Sequence, residues 1–182
     1  MTFAPGYAFF DTAIGRCGVA WNARAIVALA LPDDREQSAH ARLRKRAQGE
    51  EAAPPLVIAS AINAIRALLS GEKRDLAEIE LDLGDIPDFH RRVYDLTRTI
   101  PPGRVMTYGE VARALGEKSA ARAVGQALGA NPCPIVVPCH RVVATDGRMH
   151  GFSAPGGVAT KRRLLEIEGA LAVQPGLFDQ AD

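Results

Sequence analysis

Between Asn131 and Arg141 the chain reads N-P-C-P-I-V-V-P-C-H-R, and no other stretch constrains the fold as tightly. Asn131 and Pro132 open it as turn-formers. Ile135, Val136 and Val137 make a short apolar run that predicts a buried strand. Pro138 has no N–H to give to a sheet and ends that run. Cys139 and His140 then stand at the rim of the expected strand. A thiol beside an imidazole suits nucleophilic chemistry: the thiolate is the reactive form, and a free thiol with a pKa of about 8.5 is mostly protonated at neutral pH. Adjacent positions on an extended chain point to opposite sides, so adjacency alone does not make the imidazole the thiol's base. A buried structural cysteine next to a hydrogen-bonded histidine is the equal alternative at this point, since free cysteine is among the most buried residues.

At 182 residues the chain has room for one domain or two small ones. It is 47% hydrophobic and 24% charged, as a soluble globular protein would be, and a net charge of +1 means that any nucleic-acid surface must come from local clustering. No apolar run is long enough to cross a bilayer. The N-terminus lacks a charged region followed by an apolar one, which predicts no signal peptide and a cytoplasmic location, or a nuclear one in a eukaryote. Three widely spaced cysteines argue against a disulfide framework and for a reducing compartment.

In chain order, residues 7–11, 16–21 and 25–31 predict a meander of three strands with turns at Ile14-Gly15 and Asn22. Cys17, Val19 and Trp21 alternate with Arg16, Gly18 and Ala20, which makes Cys17 an inward-facing core residue. Asp33-Asp34 starts a polar helix running to about Gln48. Its acids lie at the start and Arg42, Arg44, Lys45 and Arg46 near the end, as the helix dipole favours. That basic cluster reads as a solvated face ahead of a phosphate contact. Residues 49–55 read as a linker. A helix over 56–70 carries Ile58, Ile62, Ile65 and Leu69 on one face. Ile79, Leu81 and Leu83 alternate with Glu80 and Asp82 as in a half-buried strand. Gly84 to Pro87 is the expected boundary between an N-terminal α/β domain, 1–86, and a C-terminal domain, 87–170, with a loose tail over 171–182.

Asp88 is expected to cap a helix whose inner face holds Phe89, Val93 and Leu96. Thr107-Tyr108-Gly109-Glu110 is a capping-box pattern, starting a helix with Val111, Ala112 and Leu115. Gly116-Glu117-Lys118 turns the chain, Ser119 caps again, and residues 120–128 form a third helix. Helix, glycine turn, helix is the helix-turn-helix pattern, which many helix pairs share. Ala120, Ala121, Ala123, Gly125 and Ala127 keep the third helix thin, with Arg122 and Gln126 as its main long side chains. Thinness suits close helix packing and entry into a groove equally. Val142-Val143 is a short strand, Thr145-Asp146-Gly147 a turn and residues 150–157 a loop. A last helix over 158–168 stops at Gly169. Glu168 shares the apolar face of Leu164 and Leu165 and sits at a helix C-terminus, where a carboxylate is disfavoured. A carboxylate so placed implies a partner, with His140 the candidate, its tautomer fixed by the acid in nucleophile–base–orienter fashion. A frayed, exposed last turn is the alternative.

Tyr108, A-R-A-V from Ala121, Asn131-Pro132, P-C-H-R-V from Pro138 and Glu168-Gly169 stand in an order and spacing that resembles the O6-alkylguanine-DNA alkyltransferases, the methylated-DNA–protein-cysteine methyltransferases. The likeness covers about Phe89 to Gly169. The N-terminal half matches loosely, through its F-D-T-A-I-G opening and its position. The resemblance implies an RNase H-like α/β N-terminal domain and a mostly α C-terminal domain with a helix-turn-helix and a short strand pair. It implies single-turnover transfer of the alkyl group from O6-alkylguanine, with O4-alkylthymine as a further substrate, to Cys139. His140 would take the thiol proton through a water, Glu168 would orient the imidazole, and Asn131 would brace the turn. Arg122 would enter the duplex as a finger in place of the extruded nucleotide, and Tyr108 would crowd the phosphate and donate to the base. Val142, Phe152 and Ser153 would line the base site. Ala121 and Gly125 would face the minor groove, His90 and Thr145 would lie near phosphates, and Arg141 would be a structural ion-pair residue. The implied partner is double-stranded DNA carrying O6-alkylguanine, met by a monomer with no membrane, metal or organic cofactor.

The physics of such a reaction fits these residues. The target oxygen is stacked inside the duplex, so the base must be flipped out at a cost of roughly a few kcal/mol. A donor to the departing guanine would stabilise developing charge. The thioether formed has no easy reverse step. One departure is evident: where the family usually has a tyrosine donating to the guanine oxygen, this chain has Phe152, followed by an extra pair, Ala154-Pro155. The Ser153 backbone or hydroxyl could substitute. Three rivals remain on sequence grounds. They are a non-catalytic module that binds alkylated DNA and recruits repair, a dimeric helix-turn-helix regulator reading the major groove, and a zinc site from Cys133, Cys139, His140 and His150, whose spacing matches no usual pair.

Overall fold

The computed structural model describes residues 2–33, 36–84, 86–145 and 152–171. The meander forms as expected. β1 (Gly6–Thr12), β2 (Gly15–Trp21) and β3 (Ile26–Ala30) are antiparallel, and the sheet order is β3-β2-β1-β4. At the first turn Gly15 has φ +119°, and the Thr12 hydroxyl donates to the Gly15 carbonyl at 2.6 Å. At the second, Asn22 Oδ1 accepts from the N–H groups of Arg24 and Ala25. The fourth strand, β4 (Glu50–Glu51), lies parallel to β1 within the segment expected to be a linker.

α1 (Glu36–Ala47) presents Ala39, Leu43 and Ala47 to the sheet over Ala20, Val27 and Ala28. Asp34, part of its expected start, lies outside the described residues. Gly18 is required there, because a Cβ would collide with the Leu43 side chain. β2 is consequently buried on both faces through most of its length, which the one-sided alternation did not predict. α2 (Leu56–Leu69) covers the other face with Ile58, Ile62, Ile65 and Leu69. The expected strand at 79–83 is reduced to a single bridge between Leu81 and Ile26. The pairing is confined to Ile26, whose N–H takes the Glu80 carbonyl and whose carbonyl takes the Asp82 N–H, while Arg98 donates to the carbonyls of Ala77 and Ile79, both at 2.7 Å.

Beyond Asp85, which is not among the described residues, the chain is mostly helical: α3 (Asp88–Arg98), α4 (Tyr108–Ala114), α5 (Ala121–Gly129) and α6 (Gly157–Ile167). β5 (Met106–Thr107) pairs in parallel with β6 (Val142–Val143). The α4 capping box is complete, with Thr107 and Glu110 each bonding the other's backbone N–H. Three expectations change. Pro87, rather than Asp88, is the α3 N-cap, and its buried face is Val93, Tyr94 and Thr97, with Phe89 and Leu96 half-buried. Ser119 does not cap α5; Ala120 does, without a side-chain bond. Ile135–Val137 is no strand: Ile135 has φ +77°, and Pro134 and Val137 meet in an isolated bridge that closes a tight turn. A short apolar run fits a buried turn as well as a strand, and prolines on both sides favour the turn.

One continuous hydrophobic core joins the two halves, packing Val19, Trp21 and Leu29 with Tyr94, Val124 and Val136. The Tyr94 hydroxyl donates to the Ala127 carbonyl at 2.8 Å and ties α3 to α5. Leu29 N–H donates to the Pro132 carbonyl at 2.9 Å, so the Asn131–Pro134 turn hangs on the free edge of β3.

Candidate active site

Cys139, His140 and Arg141 form a single 3-10 turn after Pro138. This differs from the extended rim expected from sequence. The Asn131 amide braces what precedes it: its Nδ2 donates to the Val137 carbonyl at 2.9 Å and its Oδ1 accepts from Cys133 N–H at 2.9 Å. Cys139 is 8% exposed and opens on a cavity of about 620 Å³. Burial pushes its thiol up; the Asn131 amide, the Lys161 charge and the N–H groups of Cys139 and His140 work against that rise. Cys133 is sealed in the core, and burial raises its thiol to about 12.

His140 and Glu168 are both buried, with Nε2 and Oε1 2.9 Å apart. The carboxylate also receives a two-pronged Arg141 guanidinium, Nε to Oε2 and Nη2 to Oε1, each at 2.8 Å. Burial alone would raise the Glu168 carboxyl, but hydrogen bonds from His140 and Arg141 together with the guanidinium charge overcome it and hold the group at about 2. An ionised carboxylate only accepts, so His140 carries its proton on Nε2. Burial also lowers the imidazole pKa, against the opposing pull of Glu168, so the ring is neutral at pH 7. Its Nδ1 is buried with no hydrogen-bond partner among the described residues. Glu168 thus has the partner its awkward position called for, and Arg141 is buried in an ion pair as expected.

Lys161 went unnoticed in the sequence. It is 1% exposed, donates from Nζ to the Val142 carbonyl at 2.6 Å and lies 5.7 Å from the centre of the Tyr108 ring. Burial depresses it to about 8, with the neighbouring Cys139 pulling the other way. It stands in a K-R-R run, and only contacts from β6 and α4 reveal its burial.

Tyr108 lines the cavity with Asn131, Cys139, Phe152 and Ser153. Its phenol is raised by burial and by Cys139. The Ser153 hydroxyl donates to the Gly129 carbonyl at 3.0 Å, which commits it elsewhere than to a substrate. Val142 is fully buried and does not line the cavity; its carbonyl accepts from Lys161 Nζ. Arg122 is exposed on α5, with Ala121 and Gly125 half-exposed beside it, and the Gly125 Cα faces the Tyr108 ring. His90 lies on α3 with its ring 6.2 Å from that of Tyr94, and Thr145 is exposed; neither lines the cavity. His150 lies outside the described residues, as do Asp146 and Gly147. Among the described residues no group of three or more His, Cys, Asp or Glu side chains is placed to hold a metal ion.

A cavity-facing thiol, a neutral imidazole with one nitrogen free, and a carboxylate fixing the other nitrogen supply the parts of a nucleophile with its base. Fold and site thus define a class: a mixed α/β protein with a cavity-facing cysteine followed by a buried histidine bound to a carboxylate. Residues 88–170 match the family model described as 6-O-methylguanine DNA methyltransferase, DNA binding domain. Among curated relatives, the methylated-DNA–protein-cysteine methyltransferase of Methanothermobacter thermautotrophicus is 41% identical over 119 residues, 65% of each chain. That of Mycobacterium tuberculosis is 42% identical over 118 residues, 65% of this chain and 69% of its own. The chain therefore spans about two thirds of these relatives. Among solved structures, the Mycobacterium tuberculosis protein in complex with DNA superposes with a TM-score of 0.74 at 34% identity, covering 91% of this chain and 93% of that one. The O6-methylguanine-DNA methyltransferase of Pyrococcus kodakaraensis gives 0.66 at 28%, covering 90% and 99%. The chain belongs to the methylated-DNA–protein-cysteine methyltransferase family.

Proposed function

We propose that this protein repairs DNA by direct reversal, moving the alkyl group of O6-alkylguanine in double-stranded DNA onto Cys139 in one irreversible turnover. The observation that carries the reading is the free, buried Nδ1 of His140 behind a cavity-facing cysteine, with Nε2 held by Glu168. The resting thiol is protonated, since burial raises it, so ionisation accompanies base entry. The thiol proton passes through a water to Nδ1, and the imidazolium formed is stabilised by Glu168. Sγ then attacks the alkyl carbon, the S–C bond forms, and the C–O6 bond breaks with its electron pair going to guanine. Tyr108 donates to the leaving base. The Val142 carbonyl, with one lone pair on Lys161, has a second for the base's amine. With Phe152 lacking a hydroxyl and Ser153 Oγ committed to Gly129, the Ser153 N–H is the donor left to O6.

The same reading extends to the scaffold. Residues 1–86 form an RNase H-like supporting domain and residues 87–170 carry DNA binding and transfer; the expected tail over 171–182 lies, apart from Leu171, outside the described residues. α4 and α5 form the helix-turn-helix, with Ala121 and Gly125 against the minor groove and Arg122 as the finger filling the emptied stack. His90 and Thr145 approach phosphates.

Incubation with duplex DNA containing O6-methylguanine, followed by intact mass and peptide mapping, tests the chemistry. One added methyl on Cys139 is expected. No gain, with lesion binding retained, leaves a non-catalytic binder. Arg122→Ala is expected to slow repair of duplex DNA about 10-fold or more, because the flipped state loses its substitute for the stacked base. An unchanged rate removes the finger assignment.

A further inference from the structure

The basic cluster of α1 is exposed, as a solvated face is, and it also borders a cavity. Arg42, Lys45 and Arg46 line the same cavity as Cys139, across from the Asn131–Pro134 turn. They stand at i, i+3 and i+4, so they share one side of the helix. No Asp or Glu is among the described residues lining that cavity, in a chain that otherwise balances 22 basic against 21 acidic residues. Arg42 meets Asp33 at 3.5 Å, whereas Lys45 and Arg46 have no hydrogen-bond or ion-pair partner among the described residues. The Arg46 charge is near enough to act on the Cys133 thiol and the Tyr94 phenol of the C-terminal half.

The helix dipole favours cations in a last turn, but it does not say where they point. Arg44 answers the same dipole from the far side of the helix, paired with Glu50 and away from the cavity. Like charges at helical spacing repel one another. A cavity wall that gathers them without a carboxylate is suited to an anion. The rim beside them is exposed at Gly129 and Ala130, at the end of α5, and at Ser153.

We infer that Lys45 and Arg46, with Arg42 behind them, form a phosphate-binding wall contributed by the N-terminal half, which holds the sugar-phosphate strand of the DNA whose modified base enters the Cys139 cavity. This rests on the transferase reading and gives the N-terminal half a direct part in substrate binding. DNA enters a cleft with α5 on one side and α1 on the other. The near-neutral chain gains a local positive surface where the lesion strand must pass.

The test is the salt dependence of binding to an unmodified duplex. Each phosphate contact adds about 0.9 to the slope of log K against log salt. The double variant Lys45→Gln/Arg46→Gln is expected to lose about 1.8 from the wild-type slope. Arg44→Gln is expected to leave it unchanged, and the charge-conserving Lys45→Arg/Arg46→Lys is expected to retain it. An unchanged slope in the double Gln variant overturns the wall. An equal loss in Arg44→Gln also overturns it, since net charge would then suffice, as does a loss in the charge-conserving variant. Wild-type transfer from free O6-benzylguanine to Cys139 reads the chemistry separately. Its absence removes the transferase reading, while its presence with an unaltered slope removes only the wall.

Discussion

β2 and the Pro138–Arg141 turn each bury a cysteine, and the two thiols live under different rules. Cys17 is 1% exposed on a strand, and burial drives it to about 11, with only the Thr12 hydroxyl, 3.7 Å away, easing the rise. Cys139 is also raised by burial, but an amide, an ammonium and nearby N–H groups all favour its thiolate. The difference lies in the backbone. On β2 the regular pairing with β1 and β3 engages the main chain around the sulfur. A 3-10 turn that follows a proline instead brings its own N–H groups and the Asn131 amide near the sulfur. Irregular chain, held by Asn131 and by the sheet edge, sets groups that favour the thiolate around a buried thiol.

The sharpest break in that comparison is substitution at each sulfur. Cys139→Ser should abolish alkyl transfer while DNA binding persists, as read by intact mass and gel shift. Glu168→Gln comes next: with the imidazole no longer fixed or its positive form stabilised, single-turnover transfer should fall about 100-fold. A rate within a factor of two of wild type would show that His140 does not work through the acid. The same carboxylate sharpens the comparison in stability. Its folded pKa of about 2 lies below the ordinary glutamate value of 4.5, so it stabilises the fold above the unfolded pKa. That contribution, on the order of 3 kcal/mol, drains away as pH falls from about 4.5 towards 2. Denaturant midpoints between pH 6 and 2.5 should drop more steeply for wild type than for Glu168→Gln. The smallest effect is expected at Cys17→Ala, about 1 kcal/mol of stability and no change in transfer rate.

Legibility in the sequence followed the same divide. Strand alternation announced Cys17 and its neighbours, because a ladder imposes a period of two. Glu168 announced a partner by being wrong for both its face and its helix end. The turn itself was misread: Ile135–Val137 has the composition of a strand, and only the positive φ of Ile135 shows otherwise. Lys161 and the α1 cations were hidden for another reason. Their surroundings come from segments distant in sequence, so neither helical spacing nor charge could reveal that one is buried and the others face the thiol's cavity.

The Pro132–Leu29 bond has a bearing on solubility as well as on reactivity. β3 is an outer strand of the sheet, and an unpaired outer strand is a template for another chain to add to. Here Pro132 occupies it at Leu29, and the Glu80–Asp82 segment occupies it at Ile26. The loop that presents the cysteine is therefore also a guard against sheet-to-sheet association. Opening of this loop would bare the Leu29 N–H on the edge of the apolar strand Ile26–Ala30.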